Sequence, residues 1–253
     1  MKFKQAALIL MSFFVMVSST ASADELFSTP ESKEKFLKQI SVMVGRAWKE
    51  WQDAVVINDI DVQGSNGELR PGDMAEPVLT ASSMMASYKR KGKGQDCIDC
   101  VKAATEALEH GMRSWQRGYQ NRDILFPQGA SCTYTMPPSN NVPVSLAAGK
   151  STGDREMTAE ALFSFMIYRA PNKNEDIKDM FRVISKAFAD SFERWKRSCS
   201  IVDILASGGI APQPAPMGTG PGPVRGAKGN GGKLVGSYVT SEMLYFKMRA
   251  NLS

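Results

Sequence analysis

Three stretches of the chain share one pattern: Trp51–Ile60 is WQDAVVINDI, Trp115–Ile124 is WQRGYQNRDI and Trp195–Ile204 is WKRSCSIVDI. In each stretch an Asp-Ile pair follows the tryptophan by eight and nine residues, and its aspartate is Asp59, Asp123 or Asp203. Apolar side chains also stand 14, 7 and 3 positions before each tryptophan. That spacing follows one face of an α-helix. The chain therefore contains an internal repeat built on a long helix.

A second shared element follows downstream, where Thr80, Thr158 and Thr240 are each followed four residues later by an apolar side chain. Threonine is a good helix N-cap, and a glutamate two residues after Thr158 and Thr240 suits the first turn of a helix. We therefore predict a shorter helix at each of these positions. The three repeats span about 31–90, 97–169 and 175–250.

This pattern predicts an all-α fold, with three diverged helix-pair repeats in a single domain over residues 24–253. Long loops join the two helices of each pair, and the glycine- and proline-rich loop 208–236 is expected to be flexible because its composition cannot bury a core. An α+β alternative places short strands after the long helices, since Val55–Val62 and Ile201–Leu205 are rich in β-branched residues. Loops inserted on one edge of a repeat array often form its binding face.

Residues 1–23 have the three parts of a cleavable signal peptide. Lys2 and Lys4 are followed by an apolar run, and Ala21-Ser22-Ala23 supplies the small residues of a cleavage site. The apolar run is shorter than the roughly 20 residues that cross a bilayer, and the chain has no other long apolar stretch. We expect a periplasmic or secreted protein with no transmembrane segment after cleavage.

The charge of the chain is only mildly basic. The formal net charge is +5, and it falls to +3 when the lysines of the signal peptide are removed. The cations are scattered, apart from a cluster at Lys89–Lys93 that is typical of a solvated linker. We therefore expect no nucleic-acid partner.

The four cysteines of an exported chain favour structural disulfides. Parallel long helices would bring Cys132 near Cys199, which leaves Cys97 and Cys100 as a local bridge at the start of the second long helix. Because a CxxC at a helix N-terminus also resembles a redox motif, a periplasmic thiol-disulfide oxidoreductase stays open as an alternative. A four-thiolate zinc site would need reduced thiols, so we predict neither a metal nor a cofactor.

The remaining candidates for chemistry form no catalytic set. His110 is the only histidine and has no GxSxG motif to accompany it, and Gly149–Thr152 lacks the first glycine of a phosphate-binding loop. Asp59, Asp123 and Asp203 are expected to form turns rather than a carboxylate site. Trp51, Trp115 and Trp195 are expected to fill the core between helices rather than to stack on sugars.

These observations favour a non-enzymatic binding or structural protein over an enzyme. The leading hypothesis is a protein whose loop edge engages protein partners in the cell envelope, for example as an accessory subunit of a secretion or conjugation apparatus. Besides the thiol-disulfide enzyme, the alternative is a protein that binds an envelope polymer. The sequence indicates neither the partner nor the oligomeric state.

Overall fold

The computed structural model describes residues 27–74, 76–88, 94–127, 139–208 and 226–252, and the predicted signal peptide and Cys132 lie outside them. Within these residues the α-helices are α1 (Pro30–Ala54), α2 (Ala81–Met85), α3 (Gln95–Gly118), α4 (Ala159–Arg169), α5 (Glu175–Ser198) and α6 (Ser241–Ala250). The first strands are β1 (Val56–Ile57), β2 (Ile60–Gln63), β3 (Asn66–Leu69), β4 (Tyr119–Leu125), β5 (Ser139–Asn140) and β6 (Val144–Ser145). The others are β7 (Lys150–Ser151), β8 (Cys199–Val202), β9 (Leu205–Ser207), β10 (Ala227–Asn230) and β11 (Gly232–Gly236).

The three long helices α1, α3 and α5 follow the apolar spacing of the repeat. Helix α1 begins with a capping box, in which Thr29 Oγ1 accepts from the Ser32 backbone N–H and Ser32 Oγ accepts from that of Thr29. At the start of α5, Asn174 Oδ1 accepts from the Ile177 backbone N–H at 2.9 Å. These caps satisfy backbone donors that have no partner inside the helix, and so they fix where each helix begins.

The shorter helices α2, α4 and α6 share one cap. Thr80, Thr158 and Thr240 each accept a hydrogen bond from the backbone N–H three residues later, at 3.1–3.2 Å. The residues four and eight positions after the threonines are buried: Met84, Tyr88, Leu162, Met166, Leu244 and Met248. The structure thus repeats the order of a long helix, a β-rich segment and a shorter helix three times.

The prediction of an all-α fold is wrong, because the fold is mixed and contains two antiparallel sheets. Each long helix ends in a residue with extended backbone, which is Val55, Tyr119 or Cys199, and a strand begins at that residue or the next. The α+β alternative, with short strands after the long helices, describes this arrangement better. Most of these strands have only two to five residues, so the 24- and 25-residue helices dominate the periodicity of the sequence.

The smaller sheet has the strand order β1-β11-β8-β6, and the larger has the order β5-β9-β10-β2-β3-β4, with β7 paired to the start of β4. The backbone N–H of Val142, two residues after β5, donates to the Leu125 carbonyl of β4 at 2.8 Å. The larger sheet therefore curls back on itself. Its interior contains the three isoleucines of the Asp-Ile pairs, all fully buried: Ile60, Ile124 and Ile204.

Asn141 joins the two sheets where the chain passes from β5 to β6. Its Nδ2 donates to the Ile201 carbonyl at 3.1 Å, and its Oδ1 accepts from the Ile204 backbone N–H at 2.9 Å. Because Asn141 is buried, these bonds satisfy polar groups that water does not reach. In the part of the chain that the structure describes, no helix has both the length and the apolar character needed to span a membrane.

Candidate binding surface

The predicted core tryptophans meet at the centre of the molecule, together with Trp48. The Trp195 ring lies with its centroid 5.5 Å from the centroids of Trp48, Trp51 and Trp115. Its Nε1 donates to Gln52 Oε1 at 2.7 Å. All four tryptophans are at most 4 % exposed, so none offers a stacking platform to a ligand.

The three aspartates of the repeat do not converge on one site. Asp59 and Asp203 lie in the left-handed region, with φ of 61° and 60°, at the turns between β1 and β2 and between β8 and β9. Asp123 instead lies within β4. Among the described residues, no group of three histidine, cysteine, aspartate or glutamate side chains could hold a metal ion.

The three described cysteines, Cys97, Cys100 and Cys199, are buried free thiols. Cys97 Sγ lies 3.3 Å from the Tyr88 hydroxyl. Burial raises the pKa of the Cys100 and Cys199 thiols to about 12, whereas a redox-active thiol needs a lowered pKa and access to its substrate. The predicted Cys132–Cys199 disulfide stays a prediction, because Cys132 lies outside the described residues. The structure does not show the predicted local bridge, since Cys97 and Cys100 are both free thiols.

Strand β4 carries a β-bulge. Asn121 and Ile124 both point inward, but the two residues between them, Arg122 and Asp123, are both exposed. The pairing with β3 shifts register at the same place. The Asp123 backbone N–H donates to Asn121 Oδ1 at 2.8 Å and holds the bulge in shape. Bulges re-aim side chains and are common beside binding and active sites.

A recess of about 400 Å³ lies at this bulge, between β4 and the segment that leads into β7. It is lined by Gln120, Asn121, Arg122, Asp123, Ala148, Gly149 and Lys150. A Cβ on Gly149 would come within 2.3 Å of the Tyr119 hydroxyl, so only glycine allows this close approach. That hydroxyl donates to the Leu146 carbonyl at 3.0 Å, and burial raises the pKa of Tyr119 to about 12.

A second recess, of about 240 Å³, lies on the other side of Arg122. It is lined by Asp61, Gln63, Asn66, Gly67, Glu68 and Arg122. Paired charges cross the outer face of the sheet here. Arg122 Nε lies 2.9 Å from Glu68 Oε1, and Lys228 Nζ lies 2.7 Å from Asp61 Oδ1. Arg70 contacts both carboxylates, Asp61 at 2.5 Å and Glu68 at 3.5 Å.

The hydrogen bond from Lys228 is the main cause that holds the pKa of Asp61 below its ordinary value. We call the two recesses and this row of ion pairs the strand face. Its side chains are charged groups of both signs and amides. His110 is not part of it, because its ring stacks on Phe165 and its Nε2 lies 3.8 Å from Glu156. The strand face can therefore donate and accept hydrogen bonds and form ion pairs, but the chain's histidine supplies no base there.

Of the residues singled out in the sequence, Asp123 belongs to the strand face, and so do Gly149 and Lys150 from the rejected phosphate-loop stretch. Gln120 and Arg122 were missed. One signal of the bulge was present in the sequence. Strict alternation from Tyr119 would place Asp123 inward, whereas a charged side chain suits the exterior. The contact between β4 and β7 had no local signal, because it joins distant parts of the chain.

Comparisons with known proteins give no relative for this chain: no family model, no curated protein and no solved structure matches it.

Proposed function

We propose that this protein is an exported, non-enzymatic binding protein and that its strand face engages a protein partner in the cell envelope. The observation that carries the proposal is the β4 bulge, which opens a recess on each side of Arg122 in a sheet face otherwise covered by ion pairs. A subunit of an envelope apparatus is one form that such a protein takes.

The chemistry of the strand face supports a protein partner over a sugar polymer. Its charges, apart from those of Asp123 and Lys150, are already paired, so a partner must supply groups that exchange with these pairs, and protein interfaces have both signs of charge and amides available. Sugar-binding sites use exposed aromatic rings. No aromatic side chain is among the residues that line the two recesses.

The buried thiols weigh against the thiol-disulfide oxidoreductase. Cys100 is 2 % exposed and burial raises its pKa to about 12, so at neutral pH it is a protonated, inaccessible thiol. We expect the reduced protein to give no insulin-reductase activity above that of a variant with Cys97→Ser and Cys100→Ser. A clear excess over that variant would favour the enzyme.

Site-specific crosslinking in cells tests the binding surface. A photo-crosslinking side chain introduced at Gln63, in the second recess, should yield a defined crosslinked species that the same side chain at Tyr168 of α4 does not. Tyr168 is a suitable control because it is 76 % exposed and lies on a different element.

Charge reversal then shows whether that species depends on the strand face. Arg122→Glu breaks the ion pair with Glu68 and sets two carboxylates side by side between the recesses, and it should reduce the yield by about tenfold, which corresponds to about 1.4 kcal/mol. The matched control is Arg155→Glu, which likewise places a new glutamate beside an existing one, Glu156. Equal yields from Arg122→Glu and the unchanged protein would overturn the proposal.

A further inference from the structure

A third recess, of different chemistry, lies between α5 and α6, which pack against each other. It has a volume of about 650 Å³ and is lined by Asp190, Glu193, Arg194, Arg197, Ser198 and Lys247. We call it the α5–α6 recess. It shares no residue with the strand face, and it therefore goes beyond the function proposed above.

The acidic side chains in the α5–α6 recess are already neutralised by lysines outside its lining. Asp190 Oδ2 lies 3.0 Å from Lys186 Nζ, and Glu193 Oε1 lies 2.9 Å from Lys196 Nζ. The cations of the lining are less well satisfied. Arg197 reaches Glu193 only at 4.0 Å. The recess therefore carries an excess of positive charge.

Two of its cations, Arg194 and Lys247, have no ion pair with any described residue. Cations are favoured at the C-terminal end of a helix, and this accounts for the presence of Arg197 in the last turn of α5. It does not explain why Lys247, from a different helix, shares the same recess. Like charges that converge without a counter-ion repel each other, unless an anion occupies the space between them.

The positive cluster is peculiar to the third repeat. Two residues after the repeat tryptophans stand Asp53, Arg117 and Arg197. Directly before the same tryptophans stand Glu50, Ser114 and Arg194. Because only the third repeat has a cation at both positions, the helical pattern alone does not require the cluster.

We propose that the α5–α6 recess binds a phosphate-bearing anion. A guanidinium group presents paired N–H donors that match phosphate oxygens, and a lysine adds a point charge. Arg194, Arg197 and Lys247 supply these groups. The phosphate belongs either to a lipid headgroup or to a soluble molecule.

Titration of the protein without its predicted signal peptide (residues 24–253) tests this site. The probe is inorganic pyrophosphate at low ionic strength, followed by calorimetry, with succinate as the non-phosphate dianion. The test variant combines Arg194→Gln, Arg197→Gln and Lys247→Gln. Its control combines Lys35→Gln, Lys38→Gln and Arg117→Gln, exposed cations that have no ion pair with any described residue.

We expect the test variant to bind pyrophosphate at least tenfold more weakly than the unchanged protein, and the control variant to bind it within about twofold, because both variants lose the same net charge but only one loses the site. Added salt should weaken binding, since the recess is open to solvent. Matching thermal unfolding curves of the two variants ensure that a loss of binding is not a loss of folding.

Vesicles distinguish the source of the phosphate. A lipid headgroup is supported if the protein co-sediments with phosphatidylglycerol-containing vesicles but not with pure phosphatidylcholine vesicles, and if pyrophosphate competes with this co-sedimentation. Pyrophosphate binding without co-sedimentation supports a soluble ligand. Equal losses in the two variants, equal affinities for succinate and pyrophosphate, or no binding of either probe would overturn the proposal. Because none of these residues lies on the strand face, each of these results leaves the crosslinking experiment unaffected.

Discussion

The segments that follow α1 and α5 differ from the one that follows α3, although all three contain the same Asp-Ile pair. After α1 and α5 the chain begins in the smaller sheet, as β1 or β8, and crosses to the larger sheet at Asp59 or Asp203. After α3 it stays in the larger sheet throughout β4, and Asp123 lies at a bulge. The crossing between the sheets is made instead at Asn141, between β5 and β6.

The comparison shows which part of the repeat is constrained by packing. Ile60, Ile124 and Ile204 are all fully buried in the interior enclosed by the larger sheet, so the inward residue keeps its role in each repeat. The aspartate before each isoleucine is exposed and serves either as a turn or as part of a bulge. An internal side chain is fixed by its neighbours, whereas an exposed one is free to diverge. The candidate recesses occur where the repeat diverged.

The largest expected effect tests the part that the repeats have in common. Trp195→Ala removes the ring that contacts the other three tryptophans, and we expect it to lower the free energy of unfolding by about 3–5 kcal/mol. Chemical denaturation followed by far-UV circular dichroism measures the change. Phe246→Ala is the control: that ring is 65 % exposed, so its loss should cost no more than about 0.5 kcal/mol.

A milder variant covers the case in which Trp195→Ala does not fold. Trp195→Phe keeps a ring but removes the N–H that donates to Gln52 Oε1, and Gln52 is buried. We expect a loss of about 1–3 kcal/mol from the unpaired acceptor and the smaller ring. A value near zero for Trp195→Phe would show that the tryptophan cluster is not the common core of the three repeats.

The next effect separates the two kinds of aspartate directly. In the left-handed conformation of Asp203, glycine should be more stable than alanine by about 1 kcal/mol, because alanine has a Cβ that this conformation disfavours. At Asp123, in a strand, alanine should be more stable than glycine by about 0.5–1 kcal/mol. Because the glycine and alanine variants both lack the carboxylate, the difference between their free energies of unfolding does not include its loss. The same sign at both positions would contradict the distinction between turn and bulge.

The long helices were predictable because their information is local. Apolar side chains recur along one face of α1, α3 and α5. The bounds that this spacing predicts, about 31–55, 97–120 and 175–200, lie within two residues of the observed ones. Capping threonines marked the shorter helices in the same way. The strands were not predictable to this degree, because two- to five-residue strands contain too few positions to show alternation.

Strands β10 and β11 show a second reason why local composition was misleading. Their glycines suggested a flexible loop, but Gly229 and Gly232 lie where a Cβ would come within 2.6 and 2.7 Å of Ile204 side-chain atoms. Glycine is required here by the close approach of a strand to a buried side chain. The recess beside β4 was hidden for a related reason: Arg122 and Lys150 come together only through the pairing of β4 with β7.

The smallest expected effect distinguishes two aspartates of the strand face, Asp61 in the row of ion pairs and Asp123 at the bulge. The pKa of Asp61 is held below its ordinary value of 3.8, mainly by the hydrogen bond from Lys228. A carboxyl whose pKa is lower in the folded than in the unfolded protein stabilises the fold above its unfolded pKa, and this contribution is lost as the pH falls through the folded pKa. Because the pair is partly exposed, Asp61→Asn should cost less than about 1 kcal/mol at pH 7.

That cost should disappear in acid. We expect unfolding curves of the unchanged protein and Asp61→Asn to differ at pH 7 and to converge as the pH falls below 3.8, since both then lack the charge. Added salt at pH 7 should reduce the difference as well. Asp123→Asn is the matched control, because no ion pair joins Asp123 to another described residue and its loss should leave the curve unchanged at either pH. A larger effect at Asp123 than at Asp61 would mean that the bulge, rather than the row of ion pairs, stabilises the strand face.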